Sequence, residues 1–148
     1  MKKILISSLM LALLLCGCQS GGNTDSSDFG DDLSKAQGIT VISSDESKVI
    51  ETITDVEDIK NFTLALDPDR WELASLPDNA SKLGSFGLSQ QKTIQLFDTN
   101  PDETLYDVGT ITLYEGGYIS IDVDGLDWLN AIFEVSEDTA DYLDGYFK

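Results

Sequence analysis

Residues 110–123 read TITLYEGGYISIDV, and this stretch gives the clearest structural signal in the sequence. Two runs of strand composition are separated by Glu115, Gly116 and Gly117. Paired glycines supply the positive φ angles of a tight hairpin turn. We predict a hairpin in which Gly116 and Gly117 are the two loop residues and Glu115 faces Tyr118. The apolar residues that this hairpin offers to the core are Ile111, Leu113, Ile119 and Ile121.

The segments before the hairpin show both strand and helix patterns. A helix over residues 55–66 is predicted to start with a capping box formed by Thr54 and Glu57. Its apolar positions recur at helical spacing and are Val56, Ile59, Phe62 or Thr63, and Leu66. The other predicted segments are paired strands at 39–42 and 48–53, a strand at 71–76, a loop at 77–88 with Asn79, Gly84 and Gly87 as turn residues, a strand at 92–97 and a turn at 98–103.

After the hairpin, residues 128–135 read as a further strand, and Ser136 is placed to cap a final helix. That helix carries Ala140, Leu143 and Phe147 at spacings of three and four. The predicted order is β-β-α-β-β-β-β-β-α. Because hairpins dominate and the helices are segregated, we predict an α+β fold of two layers: an antiparallel sheet with two helices on one face.

The first eighteen residues indicate export and lipid attachment. Two lysines precede an uncharged, mostly apolar run over 4–15, which is shorter than the ~20 residues that a membrane-spanning helix needs. The run ends in Leu15-Cys16-Gly17-Cys18, with an aliphatic residue at −3 and a small residue at −1. This resembles the lipobox of bacterial lipoproteins, which implies cleavage before Cys18 and a diacylglycerol on its thiol. We therefore expect a signal peptide at 1–17, a lipidated cysteine and flexible acidic tether at 18–37, and one domain at 38–148.

The charge and the amino-acid composition exclude several classes of function. The chain carries 9 basic and 27 acidic side chains; loss of residues 1–17 would remove two lysines and leave a charge of 7 − 27 = −20. Such a surface repels phosphate backbones, so we expect no nucleic-acid partner. The chain has no histidine, and its two cysteines are at 16 and 18, so Ser-His-Asp triads and ordinary zinc sites are excluded. No cofactor is indicated. The acidic side chains either keep the domain soluble or favour the binding of cations and basic proteins.

Aromatic residues form one group of candidate binding residues. Tyr114 and Tyr118 lie on one face of the predicted hairpin, opposite the isoleucines. Exposed aromatic side chains can stack on sugars or anchor a protein. We name as possible ligand-binding residues Tyr114, Tyr118, Trp71 and Trp128. The alternative is that they pack within the fold or pair across strands.

Two acidic segments are weak candidates for a cation site. Asp98, Asn100 and Asp102 supply oxygen at alternate positions, as a calcium loop begins, but Glu103 and Gly109 occupy positions where an EF-hand needs Gly and Glu. Asp122 and Asp124 are expected on one solvent face of a strand, where they could share a cation or form an acid–base pair. Both segments also fit ordinary turns and strand ends, so no metal site is predicted.

The order of elements resembles, loosely, the small extracytoplasmic domains of many lipoproteins of Gram-positive bacteria. This resemblance rests on pattern and not on a motif, so it transfers no active site to this chain. We expect a non-catalytic surface module anchored through Cys18 to a cell membrane or outer membrane, with a protein or an envelope polymer as its partner. Two alternatives stay open: a carboxylate-based hydrolase of envelope glycans, and a calcium-dependent adhesion or sensing module.

Overall fold

A computed structural model describes residues 33–46, 48–91, 104–124 and 130–148. Within these ranges the chain forms a seven-stranded antiparallel sheet in the order β2-β1-β4-β5-β6-β7-β3, with two α-helices. The predicted two-layer α+β fold is confirmed. The elements are β1 Gly38–Ser43, β2 Val49–Ile53, α1 Val56–Leu66, β3 Glu72–Leu73, β4 Lys82–Gln91, β5 Leu105–Tyr114, β6 Tyr118–Val123, β7 Asn130–Glu134 and α2 Glu137–Asp144, with short 3-10 helices at Pro68–Arg70 and Gly145–Phe147.

The β5–β6 hairpin has the predicted strands but a longer loop. Gly116 and Gly117 have φ angles of 85° and 79°, as the paired glycines predicted. The closing pair is Tyr114 with Tyr118, so the loop has three residues and Glu115 does not face Tyr118. The predicted core residues of the hairpin are all buried. One face of the hairpin therefore builds the centre of the core, as its alternation indicates.

The loop predicted over 77–88 is confirmed for residues 77–81, where Asn79 lies in a turn, but it is wrong for residues 82–88. Residues from Lys82 onward form β4, one of the longest strands. β4 lies between β1 and β5 and contributes Phe86 and Leu88 to the core. Its glycines and serines are typical of a turn, but Gly84 is required here by close packing against another side chain. A Cβ at Gly84 would overlap the ring of Phe147. A glycine inside a strand often marks such a close approach and not a turn.

Helix α1 starts differently from its prediction. Its N-cap is Asp55, whose Oδ1 accepts from the backbone amides of Glu57 at 2.9 Å and Asp58 at 3.2 Å. The Thr54 capping box is therefore wrong, since Asp55 already satisfies two amides of the first turn. Ile59, Phe62 and Leu66 are buried as predicted, whereas Val56 is 81% exposed.

Side chains from outside α1 donate hydrogen bonds to the carbonyl groups at its C-terminal end. The hydroxyl of Thr139, on α2, donates to the carbonyl of Ala65 at 3.0 Å. The indole Nε1 of Trp71 donates to the carbonyl of Leu66 at 2.7 Å. These donors satisfy two of the carbonyls that a helix end leaves without a partner. Ser136 caps α2 as predicted, because its Oγ accepts from the amide of Thr139 at 3.3 Å.

An aromatic cluster joins the helical layer to the sheet. The rings of Phe62 and Phe86 have centroids 5.1 Å apart, and Tyr146 meets Phe86 edge to face at 5.5 Å. The hydroxyls of Tyr142 and Tyr146 lie 3.0 Å apart. Burial, and then this hydrogen bond, raise the pKa of Tyr146 above its ordinary value. The partly buried rings of the C-terminal turn thus pack against the core.

The last residues of the predicted tether pack against the domain. Leu33 is 3% exposed and Ala36 is 8% exposed, and both belong to the core. The amide of Gln37 donates to the carbonyl of Ser89 at 2.8 Å, and the side-chain Oε1 of Gln37 accepts from the amide of Gln91 at 2.8 Å. The expectation of a flexible tether reaching residue 37 is therefore wrong for residues 33–37.

Several predicted segments are shorter or lie elsewhere. The strand predicted at 71–76 is only Glu72–Leu73, which pairs with β7 at the sheet edge. The strand predicted at 128–135 is observed at Asn130–Glu134. Three predictions fall outside the described residues: the strand at 92–97, the turn at 98–103 and the whole N-terminal leader.

Candidate functional site

The structure places the sequence-predicted aromatic residues apart. Trp71 is buried, its indole donates to Leu66, and its ring lies 5.4 Å from that of Phe133. Trp71 is therefore a core residue, and its assignment as a surface ligand-binding residue is wrong. Trp128 lies outside the described residues.

Tyr114 and Tyr118 form the cross-strand pair that closes the hairpin, and both are half-buried. The ring of Tyr118 lies under the turn, 3.2 Å from where a Cβ on Gly116 would stand. Tyr114 also lines a hollow of about 530 Å³ beside Glu115, Asp141 and Asp144. The two residues are thus cross-strand neighbours at the end of the hairpin, which is the pairing alternative that the sequence also allows.

The candidate carboxylates do not assemble a cation site where the structure describes them. Asp122 and Asp124 are both exposed, at the end of β6. Among the described residues no three Asp, Glu, His or Cys side chains group closely enough to hold a metal ion. Asp98, Asn100 and Asp102 lie outside the described residues.

A groove of about 1080 Å³ lies between α1 and the N-terminal turn. Its volume is slightly above the usual range for small-molecule sites, about 300–1,000 Å³. We call it the α1 groove. Its lining residues are Ser34, Lys35, Ala36, Gln37, Thr54, Val56, Ile59, Lys60, Thr63, Leu64, Gln91 and Leu105.

One wall of the α1 groove is a stripe along the helix. Val56, Lys60 and Leu64 are spaced by four residues, so they lie above one another on one helix face. Val56 is 81% exposed and Leu64 is 66% exposed, while Ile59 beside them is buried. This wall therefore presents aliphatic side chains to solvent on both sides of one ammonium group.

The opposite wall is the turn formed by residues 34–37. The amide of Ala36 donates to the carbonyl of Leu33 at 3.1 Å, and Gln37 is joined to Ser89 and Gln91 of β4. Buried Leu33 anchors the same turn from below. Core packing and three hydrogen bonds thus hold this wall in place.

The charge of the α1 groove differs from that of the chain as a whole. None of its twelve described lining residues is acidic, although the chain has 27 acidic side chains. Lys35 and Lys60 are both in the lining. The acids nearest in sequence to Val56 are the N-cap Asp55 and the first-turn residues Glu57 and Asp58, and none of the three is among the described lining residues. The described part of the lining thus contains two lysines beside apolar and uncharged polar side chains.

Sequence reasoning missed this groove. Its available signal was Leu64, an apolar residue off the predicted buried stripe of α1, together with Lys60 one turn before it. The helical spacing that Val56 shares with Ile59 and Leu66 predicts a core position for it. The composition of the other wall predicts a tether, so the sequence does not indicate a site between the two.

Comparisons of the chain with protein families, with curated proteins and with solved structures found no match. No helix among the described residues is long and apolar enough to cross a bilayer. The α1 groove and the N-terminal motif are therefore the two features of the chain that bear on its function.

Proposed function

We propose that this chain is a lipid-anchored, extracytoplasmic binding module without catalytic activity, and that it binds its ligand in the α1 groove. The observation that carries the proposal is a concave groove with exposed Val56 and Leu64 on its wall. Exposed aliphatic side chains in a concave surface favour ligand burial. The lipobox-like Leu15-Cys16-Gly17-Cys18 supports the anchor.

Binding is favoured over hydrolysis by the chemistry of the lining. A glycan hydrolase that uses carboxylates needs two of them flanking the scissile bond, about 5–10 Å apart. The described lining of the α1 groove offers lysine, hydroxyl and amide groups but no carboxylate. Such groups orient a ligand and carry no general base of ordinary strength near neutral pH.

A neutral apolar fluorophore tests the site. We expect N-phenyl-1-naphthylamine to gain fluorescence with the full chain carrying Cys18→Ala, which removes the predicted lipid acceptor. The double variant Val56→Asn, Leu64→Asn should lose most of the signal, because its wall becomes polar. Both positions are exposed, so stability should change little.

A matched control is Leu73→Asn, since Leu73 is 78% exposed but lies on edge strand β3, away from the groove. This control should bind the fluorophore like the parent chain. Equal fluorescence from the parent chain and the Val56/Leu64 double variant would refute binding in the groove.

The anchor has a separate test. Mass spectrometry of the native protein should show a chain that begins at Cys18 and carries the mass of a lipid. Cys18→Ala should abolish that modification. An unmodified Cys18 in the native protein would refute lipid attachment.

A further inference from the structure

We propose that the sheet edge formed by β2, Val49–Ile53, binds an extended segment of a partner protein in which lysines alternate with aliphatic residues. The segment would pair with β2 as a further strand of the sheet. This surface, which we call the β2 edge, is separate from the described lining of the α1 groove, and the proposal does not depend on ligand binding there. Three observations carry it: the backbone of an edge strand, its exposed aliphatic side chains and the acids beside it.

The described sheet ends in two edges of different length. β3 at one edge has only two residues, whereas β2 at the other edge has five. β1 is the only described strand that pairs with β2. In an antiparallel pair, the residues between the hydrogen-bonded pairs direct their amide and carbonyl groups away from the partner strand. The β2 edge therefore offers backbone groups to a strand of another chain, which is how extended peptides are added to sheets.

The two faces of β2 offer different side chains to an added strand. Glu51 is paired with Val41, whose side chain is in the core, so Glu51 lies on the face that carries the helices. Val49 is paired with Ile42, the neighbour of Val41 in β1, and therefore lies on the other face. Val49 is 56% exposed, and Ile50 beside it is 42% exposed. An added strand thus meets a carboxylate on one face and aliphatic surface on the other, which an alternation of lysine with valine matches.

The sequence at the β2 edge is strongly acidic. Residues 49–58 contain four acidic side chains and no basic one, although Lys48 directly precedes them. The four are all exposed: Glu51, Asp55, Glu57 and Asp58. The ion pairs between described residues include none of these four. A basic segment therefore has charge complementarity to this edge, which also accelerates its association.

Acids of β2 and α1 act on the same part of the fold. Burial, and then the hydroxyl of Tyr142, raise the pKa of Tyr146, and the charges of Glu51 and Asp58 raise it further. Because both carboxylates act on one phenol group, the two lie at the same side of the sheet, on the helical face of the β2 edge. A lysine placed opposite Glu51 by an added strand would therefore be attracted by Asp58 as well.

The same charges argue against other occupants of this edge. A second copy of the chain would bring its own Glu51 and neighbouring acids into the same interface, and like charges on paired strands are destabilising. Nucleic acid and anionic lipid are repelled by a chain with a net charge of −18. A basic polypeptide combines backbone amides for the edge with cations for the acids.

The blocked peptide Lys-Val-Lys-Val-Lys-Val-Lys tests the proposal on the full Cys18→Ala chain. In titrations of the 15N-labelled protein we expect shift changes centred on residues 49–53 and slower hydrogen exchange of amides in this range. Binding should weaken as the salt concentration rises. A peptide with glutamate in place of every lysine should not bind.

A second peptide separates strand addition from simple charge attraction. The lysine peptide with every backbone nitrogen methylated keeps its charge and side chains but has no amide donor. It should bind more than about tenfold more weakly, which corresponds to the loss of two hydrogen bonds.

Charge variants of the protein test the role of Glu51. Glu51→Gln should weaken binding of the lysine peptide about two- to fivefold, the range for a solvent-exposed ion pair. The matched control is Glu134→Gln, which removes the same charge from an exposed position on β7 and should bind the peptide like the parent chain. The Val56→Asn, Leu64→Asn double variant should also bind the peptide, which separates this proposal from binding in the α1 groove.

Four results would overturn the proposal. Equal affinity of the methylated and unmethylated peptides would refute strand addition, and equal affinity of the glutamate peptide would refute recognition of a basic segment. Shift changes centred outside residues 49–53 would refute the β2 edge as the site. A concentration-dependent dimer in which the β2 amides are protected without any peptide would assign the edge to a second copy of the chain.

Discussion

Replacement of Leu33 by alanine should destabilise the domain, although Leu33 lies in a segment with the composition of a linker. Its side chain is 3% exposed and belongs to the same core as β1 and α1. The substitution removes most of the buried side chain and leaves space beneath the N-terminal turn. That turn is held to β4 through Gln37, so it cannot collapse freely into the space.

The magnitude follows from burial. Buried Leu→Ala substitutions cost about 2–5 kcal/mol, and the lower part of this range applies where the site can relax. Leu33 lies near one end of the described chain, so we expect about 2–3 kcal/mol in the free energy of unfolding. For a domain of this size, 1 kcal/mol corresponds to about 4 °C in Tm. Leu33→Ala should therefore lower Tm by about 10 °C.

Thermal unfolding followed by circular dichroism measures this effect. The matched control is Leu64→Ala, which makes the same chemical change at a position that is 66% exposed. The control should shift Tm by about 2 °C or less, as surface substitutions usually do. A shift for Leu33→Ala no larger than that of the control would contradict the packing of residues 33–37 on the domain.

Two further predictions concern the helical layer. Thr139→Val should lower the free energy of unfolding by about 1–2 kcal/mol, because it leaves the carbonyl of Ala65 without its donor. In denaturant titrations the control Thr139→Ser should lose less stability than Thr139→Val. Equal losses of stability would refute the role of this hydrogen bond. Because burial and Tyr142 raise the pKa of Tyr146 above its ordinary value of 10.0, the folded state keeps a proton that the unfolded state releases, so stability should fall as the pH rises above about 10. Tyr146→Phe should flatten this alkaline slope in urea titrations at several pH values, and an unchanged slope would exclude Tyr146 as its source.

The fold class could be predicted because local and global signals agree in the hairpin. Alternation, paired glycines and strand composition all indicate the same structure in β5 and β6. The two helices were also predictable, since each has helical periodicity and a capping residue near its start. Where two caps compete, as Thr54 and Asp55 do, spacing alone does not decide which side chain turns toward the amides.

Strand β4 could not be predicted by the same rules. Its glycines and serines are the residues that usually mark turns. They are tolerated in a central strand because tertiary contacts use the space, as the ring of Phe147 does over Gly84. That contact joins residues 63 positions apart, so local sequence patterns do not contain it.

The α1 groove was hidden for a similar reason. Its walls come from a helix and from a segment with the composition of a tether, and burial of Leu33 is what brings that segment against the helix. The aromatic residues, in contrast, were easily recognised in the sequence as candidate binding residues. Trp71, however, is buried in the core, and its indole donates to the carbonyl of Leu66 at the end of α1. Residue type alone did not distinguish a binding side chain from a structural one.

The most direct test of binding in the α1 groove is a map of chemical-shift changes. Amide resonances of the 15N-labelled Cys18→Ala chain would be followed during titration with N-phenyl-1-naphthylamine. We predict that the largest changes fall on Val56, Lys60, Leu64 and the turn at residues 34–37. Changes centred on Tyr114 and Tyr118 at the hairpin end, or no localised changes at all, would contradict this account.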